Sequence, residues 1–225
     1  MKKHSKRYRA LKEKIDPAKQ YSLDEAILLI KESANIKFDS AVELHVNTGI
    51  DVKQSDQQVR SIVSLPHGTG KKQRIAAITA SADKAKKAGA QIAGAEELIK
   101  EIQAGKIDFD ILVAEPAFMP KLAPVAKILG PRGLMPSPKN GTVSSDIAKA
   151  IDELSKGKIG FKNDNTGNIH LLVGKASFNS DKLKDNIQSA IEAIKSSRPS
   201  KMKGTFIKTA TLATTMGPGI KVVAL

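Results

Sequence analysis

The chain has 225 residues, room for one sizeable core or two small ones. Its 37 Lys and Arg stand against 23 Asp and Glu, and a net charge of +14 repels itself unless it faces a polyanion, so nucleic acid is the expected partner. The lack of Cys excludes disulfides, thiolate nucleophiles and Cys-ligated zinc together, and residues 1–14 are basic without the apolar run of a signal peptide. No apolar segment approaches the roughly 20 residues of a membrane span, so a cytosolic protein with no membrane partner is expected.

At the amino end Lys2, Lys3, Lys6, Arg7, Arg9, Lys12 and Lys14 face Glu13 alone. This run reads either as an arm that binds phosphates by counterion release or as a frayed, solvated terminus. Ser22 followed by Glu25 forms a capping box, and Leu23, Ala26, Ile27 and Ile30 then share one face, which predicts a helix over 22–34. From Val42 the period changes to two. Val42, Leu44 and Val46 fall on one side of a strand, with Glu43, His45 and Asn47 on the other. Lys37 and Phe38 precede that strand; an exposed Phe beside Lys stacks on a base or ribose and holds a phosphate, whereas a buried Phe38 is merely core. A second strand is predicted over Val59–Leu65, ended by Pro66, His67, Gly68, Thr69 and Gly70.

Between Arg74 and Gly157 short apolar strands (Ile75–Ile78, Phe109–Ala114) alternate with helical stretches, the texture of a βαβ layer around a parallel sheet. Gly105, Gly130 with Pro131, and Gly157 punctuate the helices. Lys127–Val143, KILGPRGLMPSPKNGTV, is a long segment rich in Gly, Pro and Lys, read either as a contact to a second partner or as a packed loop. Its GPRG matches the GXXG clamp of KH domains only superficially.

Beyond Gly160 the α+β pattern resumes. Ile169, Leu171 and Val173 point inward from a strand, a helix capped near Ser180 carries Leu183, Ile187, Ala190, Ile191 and Ile194 on one face, and strands follow near 204–213 and 219–224. Lys195, Arg198, Lys201, Lys203 and Lys208 lead into the first of these, so that cations and the hydroxyls of Thr205, Thr209 and Thr211 are expected on one exposed sheet surface. The turn Thr214, Thr215, Met216, Gly217, Pro218, Gly219 combines small hydroxyls, a flexible apolar side chain and glycines that let another backbone approach. His170 is assigned to the same surface as a satisfied polar residue. Neither flank buries enough apolar area alone, so residues 1–66 and 160–225 are read as one discontinuous α+β domain with an α/β domain, 68–158, inserted at linkers 66–70 and 157–160.

Enzyme readings fail on particular residues. In the P-loop spacing that ends at Gly70 and Lys71, Leu65 occupies the place of the first Gly and Lys72 that of the hydroxyl. Thr79, Ala80, Ser81, Ala82 and Asp83 replace a dinucleotide-binding turn, and His4, His45, His67 and His170 have no metal-ligand spacing. No catalytic residue, metal or cofactor is expected. The readings left in competition are an RNA-binding structural protein, a nucleotide-dependent enzyme built on the middle domain and a free regulator of gene expression.

KILGPRGLMPSPKNGTV, with FKNDNTGNIHLLVGKASF (161–178), KGTFIK (203–208) and TTMGPG (214–219), resembles the large-subunit ribosomal protein L-one family of bacteria over nearly the whole chain. The resemblance implies that the domain made from both ends grips a helical junction of 23S rRNA while a Rossmann-like three-layer α/β domain swings on two linkers. It further implies a mobile side stalk that assists release of deacylated tRNA from the exit site, and repression of the protein's own operon messenger, with the free protein a monomer. By matching positions it implies rRNA contacts at Lys37, Phe38, Glu43, Thr215, Met216, Gly217 and Pro218, with His170 and Lys175 nearby.

Overall fold

The computed structural model describes residues 5–223, so Lys2, Lys3 and His4 of the basic amino end lie outside the described residues. In chain order the elements are α1 (Lys6–Glu13), α2 (Leu23–Ser33), β1 (Ala41–Thr48), β2 (Arg60–Ser64), β3 (Ile75–Ile78), α3 (Ala82–Lys87), β4 (Ile92–Gly94) and α4 (Glu96–Gln103). There follow β5 (Ile111–Ala114), α5 (Ala126–Leu129), α6 (Ile147–Ser155), β6 (Lys158–Lys162), β7 (Asn168–Lys175), α7 (Ser180–Ser196), β8 (Ile207–Thr214) and β9 (Ile220–Val222). The protein is mixed α/β with several sheets, and its contacts divide it into two compact units. One takes both chain ends, to Gly70 and from Phe161; the other is Lys71–Gly160.

The unit made of the chain ends is built on an antiparallel sheet in the order β7-β1-β8-β9. Alternation along the strands puts Val42, Leu44, Val46, Ile169, Leu171, Val173, Ala210, Leu212 and Ile220 in the core, where α2 and α7 cover them with Ala26, Ile27, Ile30, Leu183, Ile187 and Ile194. The capping box fixes the start of α2: Glu25 N–H donates to Ser22 Oγ at 3.3 Å, and Ser22 N–H donates to the Glu25 carboxylate at 3.2 Å. α7 begins one residue earlier than expected, because Asn179 accepts from the Ser180 N–H and takes the cap. β8 starts at Ile207 and leaves Thr205 outside the ladder. From Lys6 on the amino end is helical and not frayed: Ser5 caps α1 by accepting from the Tyr8 N–H.

In the unit Lys71–Gly160, β4-β3-β5 form a parallel sheet with helices on both faces. Ala76, Ile78, Leu112 and Ala114 face α4 and the Leu122–Leu129 stretch, while Ile75, Ala77 and Val113 face Ala85 of α3 and Ile147, Ile151 and Leu154 of α6. Such two-sided burial explains why these strands read as unbroken apolar runs. Apolar side chains of the Lys127–Val143 segment enter this core. Leu129 is buried, Leu134 and Met135 pack against the same cluster, and Val143 bridges to Ala114.

Residues 66–70, expected as an exposed linker, are held in place. Asn186, fully buried in α7, accepts from His67 N–H at 3.1 Å and donates to the carbonyls of Gly68 at 2.9 Å and Val173 at 2.8 Å. Thr69 is buried as well. A breaker-rich sequence marks where regular structure stops, and Asn186 decides that this stretch is nonetheless anchored.

Candidate nucleic-acid interface

With α2 and α7 on one face, the other face of the four-stranded sheet presents its alternate residues. The register lines up His170, His45, Thr211 and Lys221 in one row, with Asn168, Asn47 and Thr209 in the next. Across β1 and β7, His45 Nδ1 lies 2.8 Å from His170 Nδ1, so these nitrogens share one proton between them, and Asn47 Nδ2 donates to Asn168 Oδ1 at 2.7 Å. Glu43 stands 3.5 Å from His45 Nε2, and Asp164 stands 3.5 Å from His170 Nε2. Burial and then the adjacent His170 hold the His45 imidazole below its ordinary value of 6.5, against the pull of Glu43. Backbone N–H groups of Asn168 and Thr166, with the Thr166 hydroxyl, hold the Asp164 carboxyl far below the usual carboxylate range.

Because β1 runs antiparallel to both neighbours, its start, the end of β7 and the end of β8 gather at one end of the sheet. There Ala41 pairs with Lys175 on one side, and on the other its backbone meets Thr215. Lys37 and Phe38 enter just before β1, and Phe38 is 53% exposed, which removes the core reading of that ring. Met216 is 55% exposed at the tip of the turn after β8. Phe38, Lys37, Lys175, Thr215 and Met216 are therefore brought to one place, with Glu43 at the head of the polar rows below them. Thr209 and Thr211 face outward farther down the sheet, as expected.

The turn is tightly tied. Thr215 N–H donates to Ala41 O at 3.1 Å, Ala41 N–H donates to Thr215 Oγ1 at 3.0 Å, and Gly217 N–H donates to Thr214 O at 3.0 Å. Thr214 Oγ1 lies 3.3 Å from the buried Ser33 hydroxyl of α2. Arg7 of α1 donates from Nη2 to the Met216 carbonyl at 2.7 Å. Pro218, expected among the contacts, is buried, so it stiffens the turn from inside. The parts played by Ser33 and Arg7 have no sequence signal: both partners are distant in the chain, and Arg7 looks like any other cation of a basic run.

Of the basic stretch 195–208, Arg198 donates to the carbonyls of Met202 and Gly204, and Lys201 pairs with Asp56. These two cations thus hold the protein's own loop, while Lys195, Lys203 and Lys208 stay exposed. In the other unit the Thr79 hydroxyl donates to the Glu115 carboxylate where β3 and β5 end, the position at which a doubly wound sheet receives a nucleotide phosphate. A carboxylate there repels phosphate. Among the described residues no group of three His, Cys, Asp or Glu is arranged for a metal ion.

The chain is similar to known proteins over nearly its whole length. The large ribosomal subunit protein uL1 of Fervidobacterium nodosum is 53% identical over 224 residues, spanning 98% of this chain and 95% of its own. Its counterparts in Deinococcus radiodurans and Thermus thermophilus are each 50% identical, over 98% and 99% of this chain and 96% and 98% of theirs. The family model for the Ribosomal protein L1p/L10e family matches residues 29–218. The chain belongs to the Ribosomal protein L1p/L10e family, a family of structural ribosomal proteins and not of enzymes.

Proposed function

We propose that this protein is a structural constituent of the large ribosomal subunit in the cytoplasm, bound to 23S rRNA through the outer face of its antiparallel sheet. The observation that carries this is the meeting, at one sheet end, of two exposed apolar side chains, Phe38 and Met216, with Lys37 and Lys175. Water-exposed apolar groups ringed by cations suit ribose and base edges next to phosphates. Lys37, Phe38, Lys175 and Met216 touch RNA, and Glu43, His170, Thr209 and Thr211 offer acceptors and donors across the sheet. Thr215, Gly217 and Pro218 set the shape of the turn.

The finer reading is a two-domain protein in which residues 68–158 form an inserted Rossmann-like domain on a discontinuous rRNA-binding domain of residues 1–66 and 160–225, with the linkers 66–70 and 157–160 as the hinge region and its first pivot just past the stretch that Asn186 anchors. Located on the side stalk, it assists release of deacylated tRNA from the exit site. As a free monomer it represses its own operon by binding a similar structure in the messenger. The family membership and the net charge of +14 support this reading. To test it, residues 1–70 are joined to 160–225 by a short Gly-containing linker and compared with 71–160 in calorimetry against a stalk fragment of 23S rRNA. The joined flanks are expected to retain most of the affinity. Affinity carried by 71–160 would overturn the assignment of the interface.

A further inference from the structure

We infer that Arg7 is a positioning residue for RNA binding, holding the Thr215–Gly217 turn in the shape that presents Met216; this rests on the reading above that the turn meets rRNA. The sheet and α2 tie the turn through Thr214, Thr215 and Gly217, which leaves the Met216 carbonyl outside the ladder at its tip. Arg7 reaches that carbonyl from the opposite end of the chain, Nη2 to O at 2.7 Å. A charged donor binds a carbonyl more strongly than a neutral one does, and it fixes the peptide plane from which the Met216 side chain projects.

Two further observations set Arg7 apart from the other cations of the amino end. Arg7 is half-buried, whereas Lys6, Arg9, Lys12 and Lys14 are exposed, and it ties α1 to the Met216 carbonyl while Lys14 pairs with Glu32 at 3.4 Å. The second terminal nitrogen of Arg7, Nη1, is buried without a hydrogen-bond partner among the described residues. A guanidinium serving mainly as a phosphate contact keeps its nitrogens open to solvent and ligand. This one has a nitrogen enclosed and left unsatisfied in order to keep the other on a carbonyl.

The test uses the full chain. Arg7→Met removes the donor and keeps much of the stem, whereas Arg7→Lys keeps a donor of similar reach. In free protein, Arg7→Met is expected to speed hydrogen exchange at the Gly217 amide about tenfold and to shift the Met216 methyl resonance, with Arg7→Lys close to wild type. Unchanged exchange and methyl shift overturn the inference whether or not RNA binds. With a stalk fragment of 23S rRNA, Arg7→Met is expected to weaken binding about tenfold at every KCl concentration with an unchanged log–log slope, and to add little to Met216→Ala in the double variant. A slope flatter by about 0.7–0.9 means that Arg7 neutralises a phosphate instead, and additive losses mean that it acts apart from Met216; either result refutes positioning. A lysine variant as poor as the methionine one also refutes it. If wild-type protein fails to bind this RNA while the exchange result holds, the assigned ligand is wrong and the brace stands.

Discussion

Replacing Met216 by Asp is the sharpest test of the interface, because the side chain has no internal work to lose. It is 55% exposed in the free protein, so the area left for a partner is about half of the residue. Fully burying a Met side chain is worth about 1.5–3 kcal/mol, and half of that, about 0.8–1.5 kcal/mol, is forfeited on truncation. An aspartate adds repulsion from nearby phosphates, about 1 kcal/mol in a water-like dielectric at 4 Å. Together they amount to about 1.8–2.5 kcal/mol, a loss of roughly 20- to 70-fold in affinity. Filter binding to a stalk fragment of 23S rRNA measures the affinity, and circular dichroism with urea unfolding verifies that the fold is intact. If the fold is unchanged and affinity stays within about twofold of wild type, Met216 contacts no RNA and the end of the sheet is not the anchor.

Three further outcomes are expected. Lys37, Lys175 and Lys221 border the outer face, and although Lys175 and Lys221 each give one donor to a carbonyl, of Asp39 and Pro17, an ammonium keeps two more for phosphate; the slope of log affinity against log KCl should therefore be about −2 or steeper, and a slope flatter than about −1 would remove the sheet face as a phosphate footprint. Since burial and His170 hold His45 below 6.5, the unfolded chain binds this proton first as pH falls through 6.5; stability measured in urea should decline over that window and His45→Gln should flatten the decline. Asn186→Ala removes three hydrogen bonds at a fully buried site and should cost about 2–4 kcal/mol in urea unfolding; a loss below about 1 kcal/mol would show that the 66–70 segment is not anchored there.

The sheet and its cover were legible because period and burial coincide. Val42, Leu44 and Val46 alternate with Glu43, His45 and Asn47 in the sequence as they do across β1, and the capping box located the start of α2. Short elements were less legible. β4 is three residues, Ile92–Gly94, too short for a period, and the helix expected to stop at Gly130 is only the four residues of α5 after tighter turns around Pro120 and Pro124. Charge is the poorest guide to individual roles. Arg7, Arg198 and Lys201 belong to basic runs that promised phosphate contacts, yet each is bonded to the protein's own carbonyl or carboxylate groups. Composition reports only that cations exceed anions, whereas the partner of each cation depends on contacts between residues up to 209 positions apart.

The turn TTMGPG shows how one motif divides between shape and display. A Cβ on Gly217 would stand 2.2 Å from Thr214 Oγ1 and 3.1 Å from Ser33 Oγ, and one on Gly219 would stand 2.9 Å from Thr211 Cγ2. A side chain at either position would thus displace the protein's own neighbours, Thr214 and Ser33 at Gly217 and Thr211 at Gly219. Thr215 is committed to Ala41 and Pro218 is buried. Only Met216 faces outward with no internal reason to be large and apolar. Any change to this segment is therefore expected to weaken RNA binding, but by two routes that stability separates. Gly217→Ala forces the Thr214–Ser33 contact apart and lowers unfolding stability along with affinity, whereas Met216→Ala lowers affinity alone. A motif read as a uniform contact strip predicts no such split, and finding Gly217→Ala fully stable would return the turn to that simpler description.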